Sequence, residues 1–171
     1  AEVTIPGRIP ALKQVLRKVL RNSQLVVTAG QYSTEEAERA AKTSLPVVIV
    51  PPGVDEKRFK PLTPQQRVHA RSKYKLSEDD EVILTLSRLV PRKGMDVLIK
   101  SCAELQASRP HLKLLIAGTG RDQRRLESIA GRKKAPVTFL GHVPDADIPN
   151  LYGLADLFSM LCRVRWGGLE Q

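Results

Sequence analysis

Arg88 and Lys93 stand in one short stretch, SRLVPRKGMDVLIK at residues 87–100, with Arg92 beside the second of them. Two fixed cations in a tight turn suit an oxyanion. A guanidinium can fork two phosphate oxygens, and an ammonium adds a compact point charge. A spaced pair matches a diphosphate, which carries charge on adjacent phosphorus centres. Pro91 and Gly94 shape the connection between the cations. The plainer alternative is that an Arg and a Lys in a turn are solvated surface charge.

The elements around the pair decide how much weight it can bear. Apolar periodicity predicts strands at 82–87, 112–117, 137–140 and 157–161. Helices are expected between them: one with Met95, Leu98, Ile99, Cys102 and Leu105 on one face, one over 121–132 with Leu126 and Ile129 inward, and a short one over 146–152. Strand–helix alternation at this spacing implies right-handed crossovers and a parallel sheet covered on both faces. The fold class is therefore α/β.

In such a sheet the loops after the strands share one edge. The first brings Arg88, Arg92 and Lys93, and the second Gly118, Thr119, Gly120 and Arg121. The third brings Gly141, His142, Val143 and Asp145, and the fourth Arg163, Arg165, Trp166, Gly167 and Gly168. Glycines let backbone N–H groups approach an anion, and helix N-termini add partial positive charge. With the second and third strands on one side of the first and the fourth on the other, the strand order would reverse beside Arg88 and Lys93. A nucleotide diphosphate is the expected ligand. Each part has a bland reading too: glycine after a strand often only permits the turn, and Asp145 could be a helix N-cap.

The first part of the chain reads as a helix from Pro10 carrying Leu12, Val15, Leu16, Val19 and Leu20, then a strand at 25–28, a helix at 34–42 and a strand at 47–50. Residues 1–50 are expected to be the C-terminal part of a preceding Rossmann-like domain. Residues 51–64, dense in proline and charge, are the expected linker, and 65–171 a second Rossmann-like domain. The helix face of Lys13, Arg17, Lys18 and Arg21 has no acidic partner among its charges. It is either a solvated face or a contact with an anionic membrane surface.

Composition narrows the functional class. The chain has 171 residues and a formal charge of +10, which points to anionic partners. Aromatic residues make up only 4%, which argues against nucleic acid, since single-strand binders stack bases on rings. A non-catalytic anion or nucleic-acid module stays open on charge alone. Cys102 and Cys162 lack metal-ligand spacing and read as free thiols, as expected in a reducing cytoplasm. No metal or cofactor is expected. The turn at 87–94 is neither GxGxxG nor a Walker A sequence, which counts against a dinucleotide or a P-loop ligand. No secretory signal is evident, and no apolar run approaches the ~20 residues that span a bilayer. Both ends read as cut, so a fragment is expected.

SRLVPRKGMDVLIK, LLIAGTGRDQRRL and VTFLGHVPDADIPNLYGLADLFSML together closely resemble the C-terminal domain of GT-B, family 4 retaining glycosyltransferases. CRVRWGGLEQ is similar to the segment before the donor motif of bacterial phosphatidylinositol mannosyltransferases and related lipid mannosyltransferases. VPPGVDEKRFKP is similar to the family's crossover between its two domains. The resemblance implies that Arg88 and Lys93 bind the diphosphate of a sugar nucleotide and act catalytically. It implies that Gly118 and Gly120 lie against the nucleotide, and that His142, Val143 and Asp145 lie near the base. GDP-mannose is the implied donor and a lipid-linked acceptor at the inner membrane face the implied partner, with no metal. The family's E-x7-E motif would begin just past Gln171. Ile148 stands where some relatives place a lysine, which leaves base selectivity open. A sugar-nucleotide epimerase of the same fold is the other reaction to weigh.

Overall fold

The computed structural model describes residues 10–163. They fall into two compact units, 10–54 with Arg163, and Asp55–Cys162.

The first unit runs α1 (Pro10–Arg21), β1 (Val26–Thr28), α2 (Gln31–Ala41) and β2 (Val47–Ile49). The two strands pair in parallel, Val26 opposite Val47 and Thr28 opposite Ile49. Leu16 and Leu20, one turn apart on α1, pack against Ala37, Ala40 and Ala41 of α2. Small alanines let the helices approach closely. The basic face of α1 is not uniformly solvated. Arg21 Nε donates to the Ala41 carbonyl at 2.8 Å, and Arg17 Nε to the Ala40 carbonyl at 3.4 Å. Both arginines therefore cap the C-terminal end of α2, where carbonyls lack helical donors. Lys13 and Lys18 remain exposed.

The second unit holds α3 (Pro64–Lys73), β3 (Glu81–Leu86), α4 (Met95–Leu105), β4 (Leu112–Ala117), α5 (Gln123–Lys133), β5 (Val137–Gly141), α6 (Ile148–Leu154) and β6 (Leu157–Phe158). Its described strands form one parallel sheet in the order β5-β4-β3-β6, the order expected from the sequence. Successive residues of β4 alternate between two cores. Leu112, Leu114 and Ile116 meet Met95, Leu98, Ile99 and Cys102 of α4, and Leu126 and Ile129 of α5. Leu115 and Ala117 meet Ala70 of α3, and Leu151 and Leu154 of α6. Each fully buried Leu or Ile contributes about 1.5–3 kcal/mol, so the sheet is anchored from both faces. Burial also pushes the Cys102 thiol pKa up.

Two elements differ from expectation. Helix α3 is not among the expected elements: it begins at Pro64, the last residue of the expected linker, and continues into the second domain. Thr63 accepts from the Gln66 N–H at 3.3 Å while the Gln66 side chain accepts from the Thr63 N–H at 2.9 Å. This reciprocal cap, with Pro64 at the first helical position, starts the helix inside the proline-rich stretch. Strand β6 is shorter than 157–161: pairing with β3 ends at Phe158.

Arg71 of α3 is buried to 3% exposure and ties these parts together. It donates to the carbonyls of Leu154 (3.1 Å), Ser77 (3.0 Å), Glu78 (2.9 Å) and Asp80 (3.0 Å), and to Asp156 Oδ2 at 2.8 Å. Asp156, just before β6, also accepts from the Val82 N–H at 2.8 Å and from Arg67. Among the described residues no helix is long and apolar enough to cross a membrane.

Candidate functional site

The strand ends of β3, β4 and β5 do not simply open into loops; their backbones keep bonding past the sheet. The Ser87 N–H donates to the Ala117 carbonyl at 3.0 Å, and the Leu89 N–H to the Thr119 carbonyl at 2.9 Å. The Asp122 N–H donates to the Leu89 carbonyl at 3.1 Å, and the Gly118 N–H to the Gly141 carbonyl at 2.7 Å. Gly118 and Gly120 make this closeness possible. A Cβ on Gly118, whose φ is +120°, would lie 2.0 Å from the Ser87 carbonyl oxygen. One on Gly120 would lie 2.2 Å from that of Leu89. The two glycines singled out as ligand-facing thus have a packing reason of their own.

After Leu89 the chain turns through a 3-10 turn, Pro91–Lys93, closed by the Gly94 N–H on the Pro91 carbonyl at 3.3 Å. Gly94 takes φ +65° and opens α4, receiving Val97 N–H at 2.9 Å. Lys93 is buried, with its Nζ 3.8 Å from Cys162 Sγ. A Cβ on Gly94 would lie 3.1 Å from Leu161 Cβ. The turn therefore packs on the segment leaving β6. Strand order reverses between β3 and β6, the position where open α/β sheets bind ligands. Arg88, by contrast, is exposed.

A brace stands behind this rim. Arg125 of α5 pairs with both oxygens of Asp122, Nε to Oδ1 at 2.6 Å and Nη2 to Oδ2 at 2.7 Å. Its Nη1 lies 3.6 Å from Asp96, in the first turn of α4. The Asp122 hydrogen bonds, more than any other influence, hold the Arg125 guanidinium above its ordinary pKa.

The third loop divides its predicted residues. His142 and Asp145 are exposed, but Val143 is buried in the core with Leu115, Leu151 and Leu154. Val143 can offer a ligand only its main chain. Asp145 is the first residue of a 3-10 turn, Asp145–Asp147, whose N-cap position is Pro144, so it is not the N-cap. Its carbonyl instead accepts from Arg58. Lys73 Nζ reaches Asp147 Oδ1 at 2.9 Å, a hydrogen bond that raises the lysine pKa. Arg165, Trp166, Gly167 and Gly168 of the fourth loop lie outside the described residues.

Arg58, Arg71, Arg125 and Asp156 escape the sequence reading. Only Arg125 carries a local signal, the acid three residues before it. Among the described residues no cluster of His, Cys, Asp or Glu could hold a metal. A polar cleft lined by Asp79, Glu81, Ser108, Arg109 and His111 lies at the opposite, N-terminal end of β3 and β4. The Arg109–Glu81 ion pair at 2.8 Å lies in it, away from the rim.

Residues 66–170 match the family model described as glycosyl transferases group 1. The chain belongs to this family. It is 37% identical, over 95% of its length, to the GDP-mannose-dependent monoacylated alpha-(1-6)-phosphatidylinositol monomannoside mannosyltransferase of Corynebacterium glutamicum. It is 34% identical, again over 95%, to the GDP-mannose-dependent alpha-(1-6)-phosphatidylinositol monomannoside mannosyltransferase of Mycolicibacterium smegmatis. It spans 42% of the length of each. Among solved structures it resembles Anabaena HepE in complex with UDP and glucose, with a TM-score of 0.80 at 21% identity over 94% of this chain and 44% of that one. It also resembles WaaG, a glycosyltransferase involved in lipopolysaccharide biosynthesis, with a TM-score of 0.67 at 24% identity over 77% of this chain and 36% of that one. The architecture is that of part of a GT-B glycosyltransferase. Neither an epimerase nor a nucleic-acid module finds support among these group 1 relatives.

Proposed function

We propose that this chain supplies the nucleotide-sugar side of a retaining glycosyltransferase that moves mannose from GDP-mannose to a lipid-linked acceptor. The observation that carries the reading is identity of 33–37%, over 95% of the chain, with mannosyltransferases named for GDP-mannose. Residues 1–50 are assigned to the end of the acceptor-side domain, 51–64 to the linker and 65–171 to the donor-side domain.

As the glycosidic bond breaks, negative charge builds on the departing β-phosphate. Lys93, buried in a turn that packs beside the segment after β6, supplies a fixed charge in a poorly solvated setting. Such charges act more strongly there than in water and need little reorganisation. Arg88, exposed on the preceding loop, forks the phosphate oxygens. Gly118 and Gly120 let the nucleotide lie close to the backbone, and the loop at 142–145 faces the base. Front-face attack by the acceptor, with the leaving phosphate taking its proton, accounts for retention without a protein nucleophile. The enzyme works at the cytoplasmic membrane face, where the exposed Lys13 and Lys18 of α1 favour anionic lipid.

The test uses the full-length protein with GDP-, UDP- and ADP-sugars, and a mannosylated phosphatidylinositol acceptor in vesicles with and without anionic lipid. GDP-mannose is expected to give the largest thermal shift and to support transfer. Lys93→Ala is expected to lower kcat by about 10²–10³, with little change in melting temperature. Turnover near wild type in that variant removes the clamp. A larger shift with another donor removes GDP-mannose, and rates indifferent to anionic lipid remove the membrane clause.

A further inference from the structure

The segment DEKRF at 55–59 is folded by its own first residue. Asp55 Oδ1 accepts from the N–H groups of Lys57 at 3.0 Å and Arg58 at 3.1 Å. Its carbonyl accepts from Arg58 N–H at 3.1 Å and Phe59 N–H at 2.9 Å. An Asx turn of this kind fixes where the next side chains project.

Arg58 Nη2 donates to the carbonyl of Asp145, and its guanidinium lies over the Phe59 ring at 5.1 Å. Phe59 meets Tyr152 of α6 edge to face, with ring centres 6.1 Å apart at 73°. Adjacent side chains thus touch two successive elements: Arg58 the 3-10 turn at Asp145, and Phe59 the helix it leads into, at Tyr152. The loop they hold is otherwise anchored by the Val143 side chain and by the Lys73–Asp147 pair, while His142, Pro144 and Asp145 are exposed. Arg58 is thus the side chain from the 55–59 segment that holds the exposed part of the loop, beside the Val143 and Lys73–Asp147 anchors.

We propose that Arg58 is a positioning residue for the base side of the nucleotide site, acting through the Asp145 carbonyl on the loop at 142–145. The proposal rests on the reading that this loop faces the base. Its physical content is a division of labour. The cations at 88 and 93 recognise the diphosphate whatever base is attached, while the Arg58 contact matters only for a ligand that carries a base.

That division can be measured by titrating the full-length protein with GDP and, separately, with inorganic pyrophosphate. Arg58→Ala is expected to raise the Kd for GDP about 3- to 10-fold, the effect of loosening the loop by one exposed hydrogen bond. Pyrophosphate affinity is expected to stay within about two-fold, and Arg58→Lys to recover part of the GDP affinity by keeping the cation. Equal weakening toward both ligands, unchanged GDP affinity, or failure of the alanine variant to fold each overturns the proposal, the last by making Arg58 a stability residue. His142→Ala reports on the underlying reading. Unchanged GDP affinity there overturns the base-side assignment and the proposal with it. Weakened GDP binding in His142→Ala beside unchanged binding in Arg58→Ala overturns the Arg58 role alone.

Discussion

Replacing Arg71 with Met keeps much of the side-chain volume and removes every donor. The guanidinium bonds four main-chain carbonyls and the Asp156 carboxylate at 3% exposure. The bonds to Leu154 and Asp80 are buried, whereas those to Ser77 and Glu78 are partly open to water. Each buried carbonyl left without a donor costs about 1–3 kcal/mol. The ion pair adds less than its geometry promises, because the Asp156 side chain is 44% exposed. Burying a guanidinium is itself unfavourable, and Met regains that desolvation cost. The net expectation is a loss of about 3–5 kcal/mol. For a chain of this size that lowers the melting temperature by roughly 6–20 °C. Circular dichroism melts and urea titrations of wild type and Arg71→Met read the difference. GDP affinity well below the transition should stay within a few-fold, since Arg71 lies under α6 and not at the rim. A melting shift under about 2 °C would show that desolvation cancels the bonds, and the hub would lose its assigned role.

The same hub makes stability sensitive to acid. Burial alone would raise the Asp156 pKa, but the Val82 N–H, the Arg67 hydrogen bond and the charges of Arg71 and Arg67 outweigh it, leaving it below the ordinary value. A carboxylate lowered in the folded state stabilises fully above its unfolded pKa of about 3.9 and loses that contribution as pH falls through the folded value. Stability followed by denaturant titration should therefore fall below about pH 4, and Asp156→Asn should flatten that limb; an unchanged acid limb in the variant refutes this. Gly120→Ala places a methyl against the Leu89 backbone, so it should cost about 1–3 kcal/mol in urea unfolding and weaken GDP binding at least about tenfold. Wild-type values for both would mean that the seam yields.

The sheet was legible because strand and helix periods alternate cleanly, and because β-branched and leucine runs at 82–86 and 112–117 have the length of buried strands. Gly94 and the turn around it were legible for a local reason, since a positive φ there favours glycine. What stayed hidden depends on distant partners. Arg71 reads as one more surface cation until Leu154 and Asp156 are folded over it. Arg17 and Arg21 read as part of a solvated stripe until the end of α2 arrives beside them. Val143, next to a histidine and close to a glycine, reads as ligand-facing, although beyond the end of β5 it turns into the core that holds Leu115, Leu151 and Leu154. Helix α3 was legible in principle: the T-x-x-Q spacing at Thr63 was present, but the prolines around it argued for a linker.

The hydrogen bonds that join the loops after β3, β4 and β5 run backbone to backbone. No side chain is needed to sustain them, so Thr119, Arg121 and His142, all exposed at this edge, are replaceable without disturbing the lattice beneath. The exposed positions can therefore change one at a time while the backbone beneath them holds. The glycines have no such freedom, and a change in one would have to be answered in the neighbouring loop.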